Sequence, residues 1–246
     1  MVAYQSLDLS RMSYGISAQR YDASGSPVGS EFFINETESG SQVDVRLAAL
    51  DNGGFAAVWS DSGNDGSGYG IFGRRFDASG TAIDANDFQV NSAISGTQAD
   101  AGITGLQDGG FIVTWTSASA SGDTSSYGVA GQRFDASGNK IGTEFLVNTT
   151  TANQQKYPYV TALDDGDFVV AWGSDLQAGD NSELGVYAQR FASPTPSGTV
   201  TTTEHTVSTV TGSTTGEAPF GSDVSFGVGG KTLTVDLSAH HDGSSN

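Results

Sequence analysis

One seven-residue phrase recurs along this chain, and its spacing limits what the chain can fold into. Gln19-Arg20-Tyr21-Asp22-Ala23-Ser24-Gly25 returns as Arg74-Arg75-Phe76-Asp77-Ala78-Ser79-Gly80 and as Gln132-Arg133-Phe134-Asp135-Ala136-Ser137-Gly138. It then decays to Gln189-Arg190-Phe191-Ala192-Ser193. The arginines stand 55, 58 and 57 residues apart. A period of this size marks a repeat architecture, in which each unit buries its apolar face only against its neighbours. It also bears on function. A residue present in every copy usually serves the folding of the copy, whereas catalysis needs something that occurs once.

The tryptophans give the clearest alignment. Asp51-Asn52-Gly53-Gly54-Phe55 leads to Trp59, Gln107-Asp108-Gly109-Gly110-Phe111 to Trp115, and Asp164-Asp165-Gly166-Asp167-Phe168 to Trp172. Each is a turn of Asn, Asp and Gly entering a β-branched and aromatic run, which reads as a hairpin feeding a strand. A strand precedes each turn, over 43–50, 99–106 and 156–163, with Gln42, Gln98 and Gln155 at its start. A polar loop follows each Trp, then the strand that carries the arginine. After the Asp-Ala-Ser-Gly turn comes a short strand, as in Glu31-Phe32-Phe33-Ile34-Asn35, Asp87-Phe88-Gln89-Val90-Asn91 and Glu144-Phe145-Leu146-Val147-Asn148.

No window sustains a 3.6-residue apolar period, so the expected fold is all-β. Four antiparallel strands per repeat predict a propeller-like array of four-stranded units, about four blades if it closes. A β-sandwich or β-solenoid is the alternative. The first copy starts in mid-repeat, with Tyr4 aligned to Trp59, and the last stops after Phe191; fourteen strands are expected between them. The array should occupy residues 1–193. Residues 194–217 read as a Thr/Ser/Pro-rich linker. Residues 218–246 hold one hairpin, over 223–237, as the start of a second β unit or a strand pair that docks back.

Composition narrows the partners. With 28 acidic and 10 basic residues the formal charge is −18. That disfavours nucleic acid, which needs clustered Lys and Arg, and anionic membrane surfaces. No stretch suits membrane insertion, and no signal peptide is visible at the N-terminus. Cysteine is absent, which excludes disulfides, thiolate metal sites and a cysteine nucleophile.

The module Asp108-Gly109-Gly110-Phe111 to Trp115, Tyr127-Gly128 to Gly138, and Glu144 to Asn148 resembles repeats of very large secreted bacterial proteins of the RTX type and of calcium-dependent adhesins. The resemblance spans about residues 4–193 and implies an extracellular or cell-surface setting, often rich in calcium. The tandem Gly-Gly-x-Gly-x-Asp nonapeptide is absent, so no calcium ligand carries over residue by residue.

Three chemistries deserve weighing against plain structure. The loops after the tryptophans offer oxygens suited to Ca2+: Asp61, Asn64 and Asp65 in one copy, Asp175, Asp180 and Asn181 in another. The same residues are ordinary turn formers. The recurrent arginines suggest a carboxylate clamp, but an arginine in every copy reads better as a contact to a neighbouring unit. The histidines, His205, His240 and His241, fall outside the repeats, so a Ser-His-Asp triad within them is excluded. No catalytic residue is assigned, and no acidic pair is singled out for glycoside hydrolysis. Tyr69 and Tyr127 recur and so read as packing. Tyr157 and Tyr159 belong to one copy only and are the better candidates for a ligand surface. The leading reading is a non-catalytic binding or spacer module, with a carbohydrate-binding or glycoside-hydrolase-like propeller as the alternative. A spacer should show equivalent surfaces on each copy; a ligand site should be asymmetric.

Overall fold

A computed structural model describes residues 1–8, 13–120, 122–123, 126–175 and 184–192, and the strands over 224–228 and 231–235. The described residues contain no helix. The first sheet comprises β1 (Val2–Asp8), β2 (Ser13–Tyr21) and β3 (Pro27–Phe33). The second comprises β4 (Gln42–Ala49), β5 (Phe55–Ser62), β6 (Tyr69–Phe76) and β7 (Phe88–Gln89). The third comprises β8 (Gln98–Gly105), β9 (Phe111–Ser117), β10 (Gly128–Phe134) and β11 (Lys140–Leu146). The fourth comprises β12 (Gln155–Ala162), β13 (Phe168–Asp175) and β14 (Leu184–Phe191). Each sheet is an antiparallel meander in chain order, so the chain is an all-β, propeller-like array of four sheets. The fourteen strands fall where the repeat places them. A separate hairpin joins β15 (Val224–Val228) to β16 (Lys231–Val235), inside the segment that reads as one.

Two glycines open the Trp59 strand and two the Trp115 strand, for two different reasons. Gly53 and Gly109 both sit at φ 81°, the left-handed corner of the turn. Gly54 and Gly110 are needed for space, since a Cβ there would run into the carbonyl oxygen of Phe76 or Phe134. Asn52 and Asp108 close these turns by accepting the amide of the residue two further on, at 2.9 and 3.0 Å.

The sheets pack face to face, and alternate residues of each central strand serve two interfaces. Trp59, Ala57 and Phe76 face back onto Ile16, Ala18 and Ile34 of the first sheet. Ala56, Val58, Ile71 and Val90 face forward onto Trp115, Val113 and Phe134. Ile112, Val129 and Val147 then meet Trp172, Val170 and Phe191. This is why all seven residues of β9 are buried and why Phe111, Ile112 and Val113 run together without a polar residue between them. Stacked Phe pairs recur on the central strands: Phe55–Phe76, Phe111–Phe134 and Phe168–Phe191, at 4.7, 4.7 and 5.1 Å. Onto each pair the preceding sheet tilts one more ring, Phe32, Phe88 or Phe145.

Candidate functional site

The first strands of successive sheets touch one another: β4 against β8, and β8 against β12. Each carries a bulge at the same repeat position, where register shifts between Val43 and Arg46, Ala99 and Gly102, and Lys156 and Tyr159. The bulged residues Asp44, Asp100 and Tyr157 have φ of 57°, 55° and 56°. Asp tolerates this left-handed conformation; a tyrosine there is unusual. Bulges commonly re-aim side chains near binding sites.

These bulges surround a cleft of about 120 Å³. It is lined by Arg46 and Leu47 of β4, by Asp100 to Ile103 of β8, and by Tyr157 to Val160 of β12. The same few repeat positions are contributed by three sheets, yet the residues differ. One position reads Asp44, Asp100, Tyr157 and the next-but-one reads Arg46, Gly102, Tyr159. Gly102 permits the close approach of β12, because a Cβ there would stand 3.1 Å from Pro158 O. The Tyr157 amide donates to Thr116 Oγ1 at 3.0 Å, which ties the bulge to the third sheet. Arg46 donates Nη1 to its neighbour's carbonyl, Val45 O, and makes no ion pair among the described residues.

Both candidate tyrosines, Tyr157 and Tyr159, thus lie in one cleft, half-buried. Arg46 and Asp100 escaped the sequence reading. Arg46 could have been found by its difference from Gly102 and Tyr159, whereas Asp100 repeats Asp44 and carried no such signal.

The post-Trp loop is arranged differently. Asp61 is buried, accepting Gln42 Nε2 at 3.2 Å and Asn64 Nδ2 at 2.5 Å. Burial raises its carboxyl above the ordinary carboxylate range, and the bonds from Asn64 and Gln42 oppose that rise. Asn64 also accepts from Ser39 Oγ at 2.7 Å, and Asp65 Oδ1 accepts the Ser67 amide at 2.9 Å. These four oxygens are hydrogen-bonded within the loop and its neighbours, while Asp65 Oδ2 is buried without a hydrogen bond. Among the described residues no three acidic or histidine side chains gather as a metal group. Asp175 ends β13 half-buried, while Asp180, Asn181 and the three histidines lie outside the described residues.

The arginines form no clamp. Arg20 donates to the carbonyls of Ala78 and Ser79, and Arg75 to that of Ala136, each binding the Asp-Ala-Ser-Gly turn of the next sheet. Three of them also pair with acids of their own sheets: Arg75 with Asp84 at 2.7 Å, Arg133 with Asp108 at 2.5 Å, and Arg190 with Asp165 and Asp167. The neighbour-sheet contact is thus made by Arg20 and Arg75. Tyr69 and Tyr127 are half-buried, and Lys156 Nζ sits 4.2 Å over the Tyr127 ring.

No family model matches the chain, and no curated protein does. Among solved structures it is similar to an endo-1,4-beta-xylanase from Bacteroides thetaiotaomicron, at 12% identity and a TM-score of 0.44, covering 82% of this chain and 75% of that one. An endo-arabinase from the same organism is 15% identical, with 71% and 65% covered and a TM-score of 0.43. A thermostable family-43 glycoside hydrolase is 9% identical, with 83% and 74% covered and a TM-score of 0.43. Likenesses this distant carry no inference about chemistry.

Proposed function

We propose that the chain is a carbohydrate-binding module whose ligand lies in the cleft between the bulges of β4, β8 and β12. One observation carries this reading. The two tyrosines particular to a single copy converge there with Asp100 and Arg46. Tyrosine presents an apolar ring face and a polar edge, which suits a sugar ring and its hydroxyls. Asp100 would accept hydroxyl protons and Arg46 would donate in return. Three sheets contribute different residues at equivalent positions, the asymmetry that a ligand site requires and a spacer does not.

Binding is a better reading than hydrolysis. One carboxylate, Asp100, lines the cleft, and two-carboxylate chemistry needs a facing pair. The setting proposed is extracellular or cell-surface, on the strength of the repeat's resemblance to secreted arrays. Calorimetric titration with neutral and uronic-acid oligosaccharides tests the reading. One class should bind, and Tyr159→Ala should weaken it at least about tenfold. Tyr157→Asn should do the same while suiting the left-handed backbone. Reducing ends should not appear on prolonged incubation. Binding that ignores both substitutions, or no binding across the panel, defeats the proposal.

A further inference from the structure

The first sheet carries the docking groups of an interface that it does not make among the described residues. In the other sheets the backward face is covered by the sheet before. Ala57, Trp59 and Phe76 are 0%, 0% and 2% exposed there. Their equivalents on the first sheet, Val2, Tyr4 and Tyr21, are 52%, 39% and 44% exposed. Among the described residues the first strand of the sheet pairs on one side alone. β1 pairs with β2, whereas β5, β9 and β13 each have a strand on both sides, with β4, β8 and β12 joined by the tight Trp-strand turn.

Polar groups point to the same missing neighbour. In each interface that can be followed, the acid heading the outer strand accepts amides from the loop of the preceding sheet. Asp87 takes the amides of Glu36 and Thr37 at 3.0 and 2.8 Å, and Glu144 takes that of Ser92 at 2.7 Å. Glu31 holds this position on the first sheet; it is exposed and hydrogen-bonded to the Tyr4 side chain rather than to loop amides. The preceding sheet in turn sends an arginine to the turn carbonyls, as Arg20 does to Ala78 O. The corresponding carbonyls here are those of Ala23 and Ser24. A tilted phenylalanine completes the set, like Phe88 on Phe134 at 5.6 Å; Tyr21 occupies the receiving position.

We infer that this face is the docking surface for a further repeat of the same kind, entering through the free edge of β1. The occupant is specified by its contacts: a forward face of Ala, Val and Ile, one arginine for the carbonyls of the 22–25 turn, one ring for Tyr21, and loop amides for Glu31. The fourth sheet of a second copy fits poorly. Its arginine, Arg190, is held by Asp165 and Asp167.

The experiment extends the full chain by its own repeat. A copy of residues 42–112 replaces Met1, so that Ile112 of the copy runs into Val2 in the phase of Ile112-Val113. Tyrosine nitration, read by mass spectrometry, should modify Tyr4 and Tyr21 in the unextended protein and spare them at least about tenfold in the extended one. Tyr4→Trp with Tyr21→Phe, which restores the residues of the other copies, should raise the Tm of the extended chain and not that of the unextended chain. Tyrosines that stay reactive in the extended chain, or a double substitution with the same effect in both, would overturn the inference. So would concentration-dependent protection of Tyr4 and Tyr21 in the unextended protein, which would assign the face to self-association.

Discussion

Asn91 donates its side-chain amide to Gln98 Oε1 at 3.1 Å across the link between the second and third sheets. The contact is one member of a set. Asn35 reaches Gln42 at 3.2 Å and Asn148 reaches Gln155 at 3.3 Å. In each case the Asn oxygen accepts an amide of its own sheet, from Ile16, Ile71 or Val129, at 2.7, 2.8 and 2.7 Å. The Gln amide returns to a link carbonyl, Ser39, Ser95 or Ala152. Two buried side chains thus satisfy the backbone where the chain steps from one sheet to the next, a place where no ladder can do so.

Removing either partner should leave buried polar groups without bonds. Asn91→Ala and Gln98→Ala should each cost about 1–3 kcal/mol in urea denaturation. The double substitution should cost less than the sum, with a coupling of at least about 0.5 kcal/mol. Strict additivity would mean that the pair is not a unit.

Burial separates two residues that the repeat makes equivalent. Trp115 is 0% exposed and Tyr4 is 39% exposed. Trp115→Ala should cost about 3–5 kcal/mol, the range for a large buried aromatic. Tyr4→Ala should cost under about 1 kcal/mol, because much of its ring already meets water. Similar losses at the two sites would deny that the first sheet lacks a neighbour.

Two glycines test the inter-sheet arginine. Gly25 and Gly138 occupy the same turn position, at φ 83° and 82°. A Cβ at Gly25 would meet nothing within 4 Å, whereas one at Gly138 would stand 2.5 Å from Arg75 Cζ. Gly25→Ala should cost roughly 1–2 kcal/mol of backbone strain alone. Gly138→Ala should cost clearly more, since Arg75 must leave Ala136 O or Asp84. Adding Arg75→Ala to Gly138→Ala should recover part of that difference.

The fold was legible because repetition repeats its own evidence. A lone Asn-Asp-Gly turn is weak, but three in phase with three tryptophans fix strand order and which residues are buried. The role of Gln42, Gln98 and Gln155 was not legible, since a glutamine's partner lies across a link that no local pattern describes. At the cleft, sequence uniqueness picked out Tyr157 and Tyr159. It passed over Arg46 and Asp100, because what brings them beside the tyrosines is a bulge. A bulge shifts facing by one residue and so defeats the alternation by which strands are read.

Asp61 offers a test in pH. Its equivalents in the next two copies are Ser117 and Ser174, both buried. The buried carboxyl of Asp61 is raised above 3.8 chiefly by burial. A carboxyl with a raised folded-state pKa holds its proton more tightly in the folded chain than in the unfolded one. Stability from this group is therefore greatest below the unfolded value and is lost as pH rises through the folded value. Asp61→Ser removes the group and copies the other sheets. The variant should gain on the natural chain as pH rises through that window, and the gain should then stay level. Asp22, Asp77 and Asp135 run the other way. Hydrogen bonds, chiefly from the side chains of Ser24, Ser79 and Asn139, lower them. Their acid-side loss is common to both proteins and cancels in the difference. Urea titrations of both proteins from acid to neutral pH would measure it. A difference that does not change with pH would mean that Asp61 is not a desolvated carboxylate.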